Sequence, residues 1–229
     1  MSYFITGTDT GVGKTLVSCA LLHAMAAKGL QVAGFKPVAA GSDEDGHNED
    51  ALALSAASTM QLAYGQVNPY CFEPAIAPHI AARFSGVHIE LPHILEAWRE
   101  LAGQAEQVIV EGAGGFLVPL NEKQDGADLA QQFGLPVIMV VGMRLGCLNH
   151  ALLTLRAIAG CGLKCAGWVA NVVDEQMPAL QENIDTLRGR IDAPLLGVVP
   201  FMEVPDARVA AAWLDIELLK KDGSDDQIA

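Results

Sequence analysis

The stretch FITGTDTGVGKT, residues 4–15, ends in Gly13, Lys14 and Thr15. These residue types suit a polyphosphate. Glycines let backbone N–H groups curl around an anion, a lysine supplies a cation for the outer phosphates, and a threonine hydroxyl can join the accompanying Mg²⁺. The usual spacing of such a loop, G-x-x-x-x-G-K-[ST], is not met. Counting back from Gly13 puts Thr8 where the first glycine belongs, and Gly7 comes one residue early. Thr8 serves if its position needs no positive φ. The rival dinucleotide fingerprint, G-x-G-x-x-G, fits less well, because Gly11-Val12-Gly13 runs on into Val17 and Ser18 without a third glycine. The plainer alternative is a glycine-rich turn with no ligand.

A magnesium nucleotide also calls for carboxylates. Glu111 ends the apolar run QVIVEGAGG and faces a glycine loop, Gly112 to Gly114 with Ala113 between. An acid buried there is costly unless it meets a cation, which makes it a candidate metal ligand. Asp50, in HNEDALAL, stands at a helix start, although acids favour first turns for reasons of the helix dipole alone. Lys36, in GFKPV, closes a second apolar run. Pro37 holds it extended and aims it along the strand, although a lysine there can simply mark the exit to solvent. Asn171, in VANVVD, can donate to and accept from a purine edge, or can serve only as a turn former. In RLGCLNHALLTL, Gly146 loosens a turn and the helix starting near Cys147 offers free N–H groups, a second anion cradle. The histidines are scattered without metal-ligand spacing or a Ser-His-Asp set, and read as structural.

Elements that would position these residues alternate along the chain. Strands are expected over 3–7, 31–39, 106–115, 135–142, 164–173 and 193–200. The first helix spans 14–29, with others near 91–103, 126–133, 147–160, 178–190 and 206–219. The strand runs are apolar on both faces, as strands between two helix layers must be. Strand-helix alternation predicts an α/β fold, a three-layer doubly wound and mostly parallel sheet of the kind that carries phosphate loops. Ligands of such sheets bind at the carboxyl ends of strands. Residues 41–90 are the irregular part, with the polar stretch GSDEDGHNED and the proline-punctuated NPYCFEPAIAPHIAARFSG. One domain is expected over 1–220, followed by a flexible tail over 221–229.

Bulk composition narrows the function classes. The 229 residues are 51% hydrophobic and 18% charged, which excludes disorder for the whole chain. A formal charge of −13 argues against nucleic acid or an anionic membrane as the main partner. Binding a nucleotide needs only local donors and cations. The five cysteines form no C-x-x-C pair, and the start MSYFITG carries no signal peptide. Reduced thiols in a cytoplasmic protein are expected. Cys161 and Cys165 read as small residues around a turn, since no His or Cys partner is near in sequence. No apolar run is long enough to span a membrane.

Taken together, TGTDTGVGKT, AGFKPVA, NEDALAL, VNPYCF, EGAGGFLVPL, LPVIMVVGMRLGCLNHALLT, GWVAN and APLLGVVP closely resemble the ATP-dependent dethiobiotin synthetases, over about residues 3–205 and in the right order. The resemblance implies a P-loop fold and a phosphate loop with the longer spacing seen here. It also implies a cytoplasmic homodimer that uses ATP and Mg²⁺ to close a ureido ring on 7,8-diaminononanoate with CO₂. Lys14 and Lys36 would flank the carbamate and γ-phosphate. Thr15, Asp50 and Glu111 match the Mg²⁺ set. Thr10, Gly11, Val12 and Gly13, with Gly112, Ala113 and Gly114, would surround the nucleotide. Asn171 would contact adenine, with Pro200, Phe201 and Met202 near the base. Substrate would meet Thr10, Lys36, Ala40 and Gly114, its distal carboxylate being received by Gly146, Cys147, Leu148 and Asn149 of a second subunit. Three positions depart from the family pattern: Gly11, where some members carry glutamate; Ala40, often Ser or Thr, for which Ser42 is the expected stand-in; and Asp174, which competes with Asn171 for the base. The rivals are a cobyrinate amidation enzyme, a ParA- or MinD-like ATPase switch and an inactive binding module. The first needs a glutaminase domain that this chain has no room for. The second generally carries an extra lysine early in the loop, and TGTDTGVG has none.

Overall fold

A computed structural model describes residues 2–219; the tail expected over 221–229 lies outside the described residues. The strands are β1 (Tyr3–Gly7), β2 (Val32–Phe35), β3 (Val38–Ala40), β4 (Tyr70–Phe72), β5 (Gln107–Gly115), β6 (Val137–Met143), β7 (Cys165–Val172) and β8 (Leu195–Val199). The helices are α1 (Lys14–Ala27), α2 (Glu49–Ala57), α3 (Tyr64–Val67), α4 (Pro78–Phe84), α5 (Leu91–Ala102), α6 (Gly126–Phe133), α7 (Cys147–Gly160), α8 (Leu180–Arg188) and α9 (Ala207–Ala211). Six strands form one parallel sheet in the order β2-β5-β1-β6-β7-β8. The chain leaves β1 towards β2 but leaves β6 towards β7, so the order reverses beside β1, where such sheets bind ligands.

Alternation along the strands builds the layers. Phe4, Val108 and Val110 pack on one face with Leu91 and Ile94 of α5 and Phe133 of α6. Tyr3, Ile5 and Ile109 point the other way, into a core with Val17, Leu21 and Leu22 of α1 and Leu54 of α2. Residues on β1 and β6 are buried without exception, as expected of strands covered on both sides. The doubly wound α/β expectation is therefore realised.

Three local expectations are corrected. The strand expected over 31–39 breaks after Phe35, because Pro37 has no N–H for a ladder. The Lys36 N–H instead donates to Val67 O (2.8 Å), and β3 pairs with β4 in a separate two-stranded parallel sheet. The helix expected over 206–219 ends at Ala211. There the chain turns to dock on the sheet edge, where Asp215 N donates to Leu196 O (2.8 Å). The Trp213 carbonyl sits 2.0 Å from where a Cβ on Gly197 would be, an approach only glycine allows. Residues 41–90 are far from irregular, since they hold α2, α3, β4 and α4. The polar stretch conceals a helix cap, Asn48, and Pro78 opens α4. No described helix is long and apolar enough to cross a membrane.

Candidate active site

The loop between β1 and α1 explains its own spacing. Thr8 N donates to Val140 O on β6 (3.0 Å), and its hydroxyl accepts from Gly142 N (3.4 Å). Thr8 does not adopt positive φ; among the described non-glycine residues only Ala179 does. Glycine is needed one residue earlier. A Cβ on Gly7 would lie 2.7 Å from Val12 Cγ2 and 3.0 Å from Lys14 Cγ. Gly11 and Gly13, with φ of 72° and 86°, hold the left-handed turns that bend the loop. A side chain at Gly11 would meet open space, so it is the backbone angle that favours glycine there. Lys14 folds back over the loop, its Nζ donating to Asp9 O (3.1 Å). Burial first, and the Lys36 charge second, lower its pKa.

Strand register brings the charged residues together. Ile5 pairs with Glu111, and Phe35 pairs with Val110, so Lys36, just past the end of β2, comes level with Glu111, which lies in the middle of β5 rather than at the strand end expected for it. Lys36 Nζ donates to Glu111 Oε1 (2.6 Å) and to Asp50 Oδ2 (2.9 Å). Thr15 Oγ1 lies 2.6 Å from Asp50 Oδ1 and 2.9 Å from Glu111 Oε1; its single proton serves one of them. Lys36 is 4% exposed and Glu111 fully buried. Burial opposes the Lys36 charge, but the Glu111 and Asp50 carboxylates outweigh it and leave its pKa above the ordinary lysine value. Burial likewise opposes ionisation of Asp50, yet Lys36 and the Thr15 hydroxyl outweigh it and hold that carboxyl below its ordinary value.

The donor set fits a hard divalent cation. Glu111 Oε2 is buried with no hydrogen-bond partner, while its Oε1 is shared by the Thr15 hydroxyl and the Lys36 ammonium. Among the described residues no group of three His, Cys, Asp or Glu side chains gathers that could hold a metal ion. Mg²⁺ takes one or two carboxylates and completes its shell with water and phosphate, so Thr15, Asp50 and Glu111 suffice.

These groups open on a cleft of about 740 Å³ lined by Thr10, Gly11, Gly13, Lys14, Thr15, Lys36, Ala40, Asp50, Ala113 and Gly114, among others. Gly112 lies one step back, in a small cavity with Glu111 and Phe4. Ala40 reaches the cleft from β3; Ser42 does not line it. Asn171 is buried behind the loop. Its Nδ2 donates to Val12 O (2.9 Å) and would lie 2.1 Å from a Cβ on Gly13. Val199 pairs with Asn171, so Pro200 to Met202 leave the sheet beside it; Phe201 is exposed and Met202 rests on the α1 core. Gly146, Cys147, Leu148 and Asn149 form the start of α7, outside the cleft lining, with Gly146 left-handed at φ 96°.

The sequence reading passed over several residues. Arg144 pairs with the Asp9 carboxylate across the mouth of the loop. Asn48 caps α2 by accepting from Asp50 N and Ala51 N, and Asn68 Nδ2 donates to Lys36 O (2.6 Å). Asn48 sat in a polar stretch and Asn68 beside a proline, positions that read as turn formers without the fold.

Comparison with known proteins places this geometry in context. The AAA domain family matches residues 1–208. A protein of Nitrosospira multiformis named ATP-dependent dethiobiotin synthetase BioD is 54% identical over 93% of this chain and 94% of its own length. One of the same name from Aromatoleum aromaticum is 54% identical over 92% of this chain and 96% of its own. Its counterpart in Pseudomonas aeruginosa is 51% identical over 95% and 97%. Among solved structures, a ParA family ATPase of Chlorobium tepidum superposes with a TM-score of 0.53 at 13% identity, covering 88% of this chain and 85% of that one. The MinC:MinD complex of Aquifex aeolicus gives 0.52 at 15%, covering 91% and 86%. At those identities the likeness is one of fold.

Proposed function

This chain belongs to the ATP-dependent dethiobiotin synthetases, and from that premise we propose how its own residues carry out the reaction. One amine of 7,8-diaminononanoate adds to CO₂ and loses a proton, giving a carbamate. A carbamate oxygen attacks the γ-phosphorus of ATP, the bond to the β–γ bridging oxygen breaks, and ADP leaves with the electron pair. The second amine attacks the carbamate carbon of the mixed anhydride; phosphate leaves, a proton is lost and the ureido ring closes.

Phosphoryl transfer of this kind rests on placement and charge neutralisation more than on a proton shuttle. Lys14, tethered only to the Asp9 carbonyl, is free to exchange that partner for an outer phosphate. Lys36 stabilises charge as it moves between carbamate and phosphate. Thr15, Asp50 and Glu111 would hold Mg²⁺, which when bound neutralises charge on the phosphates. Gly11, Val12 and Gly13 turn their N–H groups towards the anion, and Gly114 beside Thr10 leaves room for the reacting carbamate. Asn171, with Pro200 to Met202, borders the base. The start of α7 receives the distal carboxylate of substrate bound to a second subunit. Leu145, 95% exposed, stands beside that helix end and Leu153, 55% exposed, at the middle of the helix, and both support its being covered in a homodimer. The protein is proposed to work in the cytoplasm.

The observation that carries this reading is the contact of Lys36 Nζ with both Asp50 and Glu111, on the same cluster as the loop threonine. Incubation with diaminononanoate, bicarbonate and Mg·ATP tests it: dethiobiotin is expected by mass spectrometry, together with ADP and phosphate. Its absence with folded protein overturns the reading.

A further inference from the structure

A relay of polar groups to which the mechanism above gives no part runs beside the cleft; Asn48 borders the cleft, while half-buried Tyr64 and buried Asn68 lie behind it. Asn48 N donates to Tyr64 Oη (2.8 Å), and the Tyr64 hydroxyl donates to Asn68 Oδ1 (2.8 Å). Asn68 Nδ2 then donates to the Lys36 carbonyl (2.6 Å) and the Tyr70 carbonyl (3.0 Å). At the other end Asn48 Nδ2 donates to Gly41 O (2.7 Å) while its Oδ1 caps α2. Asn48 and Asn68 are 5% and 3% exposed. Every polar atom of the two amides that these contacts name is used. Asn48 therefore sets the first turn of α2, which carries Asp50, and Asn68 sets the backbone of Lys36. Tyr64 is the hydroxyl that joins them: its oxygen accepts from Asn48 N and its single proton is donated to Asn68 Oδ1, the closer acceptor, rather than to Cys71 Sγ at 3.4 Å.

We infer that Asn48, Tyr64 and Asn68 are positioning residues that fix Lys36 and Asp50 in register with each other for phosphoryl transfer. The inference rests on the proposed roles of those two charges. Its logic is geometric. Lys36 lies in the break between β2 and β3, where Pro37 removes a ladder hydrogen bond, and Asp50 lies in a first helical turn. Neither is part of the main sheet. Sheet register fixes Glu111 and, through the Phe35–Val110 pair, brings the Lys36 backbone level with it; Asp50 is outside that register, so its alignment with Lys36 needs a separate brace. A misplacement of about 1 Å at such a site can cost on the order of a hundredfold in rate.

Tyr64→Phe removes the joining hydroxyl and keeps the ring. Loss of the joining hydrogen bond is expected to lower kcat roughly tenfold, because it misplaces both charges at once. The Mg²⁺ concentration for half-maximal rate should rise several-fold, while the Kd for ADP measured in EDTA stays within about twofold because the loop is untouched. Asn48→Asp keeps the acceptor that caps α2 but cannot donate to Gly41; it should retain more activity than Asn48→Ala, which loses both. Leu187→Ala, a core truncation in α8 remote from the cleft, serves as a control that lowers Tm without shifting the Mg²⁺ dependence. An independent readout is labelling of lysine amines by acetic anhydride, followed by mass spectrometry. Lys36 is buried and doubly paired, so Tyr64→Phe should raise its labelling several-fold relative to Lys28. Unchanged kcat and unchanged Lys36 labelling in folded Tyr64→Phe overturn the inference. Failure of the unmodified protein to make dethiobiotin overturns the functional reading instead, and the labelling arm still decides whether the brace exists.

Discussion

Replacing Lys36 by methionine separates what this residue does for the fold from what it does for the reaction. Its ammonium is the cation nearest to Glu111, which is fully buried. Removing one member of a buried pair leaves the other charge uncompensated, at a cost of about 3–5 kcal/mol. For a chain of this size each kcal/mol moves Tm by roughly 2–4 °C, so Lys36→Met should melt roughly 6–20 °C below the unmodified protein. Adding Glu111→Gln removes the stranded charge. Because a buried pair exchanged for neutral groups of similar size is often neutral for stability, the double variant should recover most of that loss. Turnover should behave differently. Loss of one preorganised group facing developing charge lowers kcat by about 10²–10³, and the double variant should be no faster than the single. Thermal denaturation by circular dichroism and ADP release under saturating substrates measure the two quantities. Equal Tm for Lys36→Met and the unmodified protein would refute the buried pair. A double variant that regained turnover along with Tm would refute the catalytic role of Lys36.

Other outcomes follow from the same geometry. The Asp50 carboxyl is held below its ordinary value, so its contribution to stability is present above about pH 3.9 and is lost as pH falls through the lower folded value; Asp50→Asn should flatten that acid limb in urea unfolding measured between about pH 2 and 5. Lys36 is shifted upwards, so its contribution is complete below about pH 10.4 and disappears only as pH rises through its higher folded value, which leaves the neutral range flat. Gly13→Ala places a Cβ 2.1 Å from Asn171 Nδ2 at a φ of 86° and should abolish ADP binding by calorimetry while the sheet still folds. Leu145→Asp puts a charge on a side chain left 95% exposed; a shift to half the mass in light scattering is expected, and an unchanged mass would exclude this face as the subunit contact.

The main sheet was legible because each strand is an apolar run flanked by helical periodicity, and burial on both faces leaves little else such a run can be. Lys14, Thr15 and Glu111 were legible for a related reason. Lys14 and Thr15 open the helix that follows β1, and Glu111 is an acid inside an apolar strand next to it, so their chemistry stands out against their position. Asp50 and Lys36 could be named but not joined, since their contact depends on the break at Pro37 and on the cap at Asn48, both in a stretch whose polar composition resembles a loop. Asn48, Tyr64 and Asn68 were illegible for a stricter reason. Two of their hydrogen bonds span 16 and 32 positions of sequence, and no local pattern encodes a partner that far away. The helix expected over 206–219 failed in the opposite direction. Its propensity is real, but Asp215 gains a backbone bond to the open edge of β8, and an exposed sheet edge outbids a marginal helix.

Two lysines and two acids clustered in one place make a poor device for stability, because desolvating charges costs as much as their attraction returns. What the cluster provides is balance. Lys14 and Lys36 offset Asp50 and Glu111, so the site is close to neutral before any ligand arrives. An anion alone entering the loop would gain Lys14 but meet the field of both carboxylates. A hard cation alone would gain the carboxylates but meet both ammonium groups. Only a ligand that carries both signs, anion towards the glycine loop and cation towards Thr15, Asp50 and Glu111, leaves every charge in the cleft paired. On the proposed assignment the site would thereby discriminate against bare nucleotide and bare metal by the same arrangement that accepts their complex.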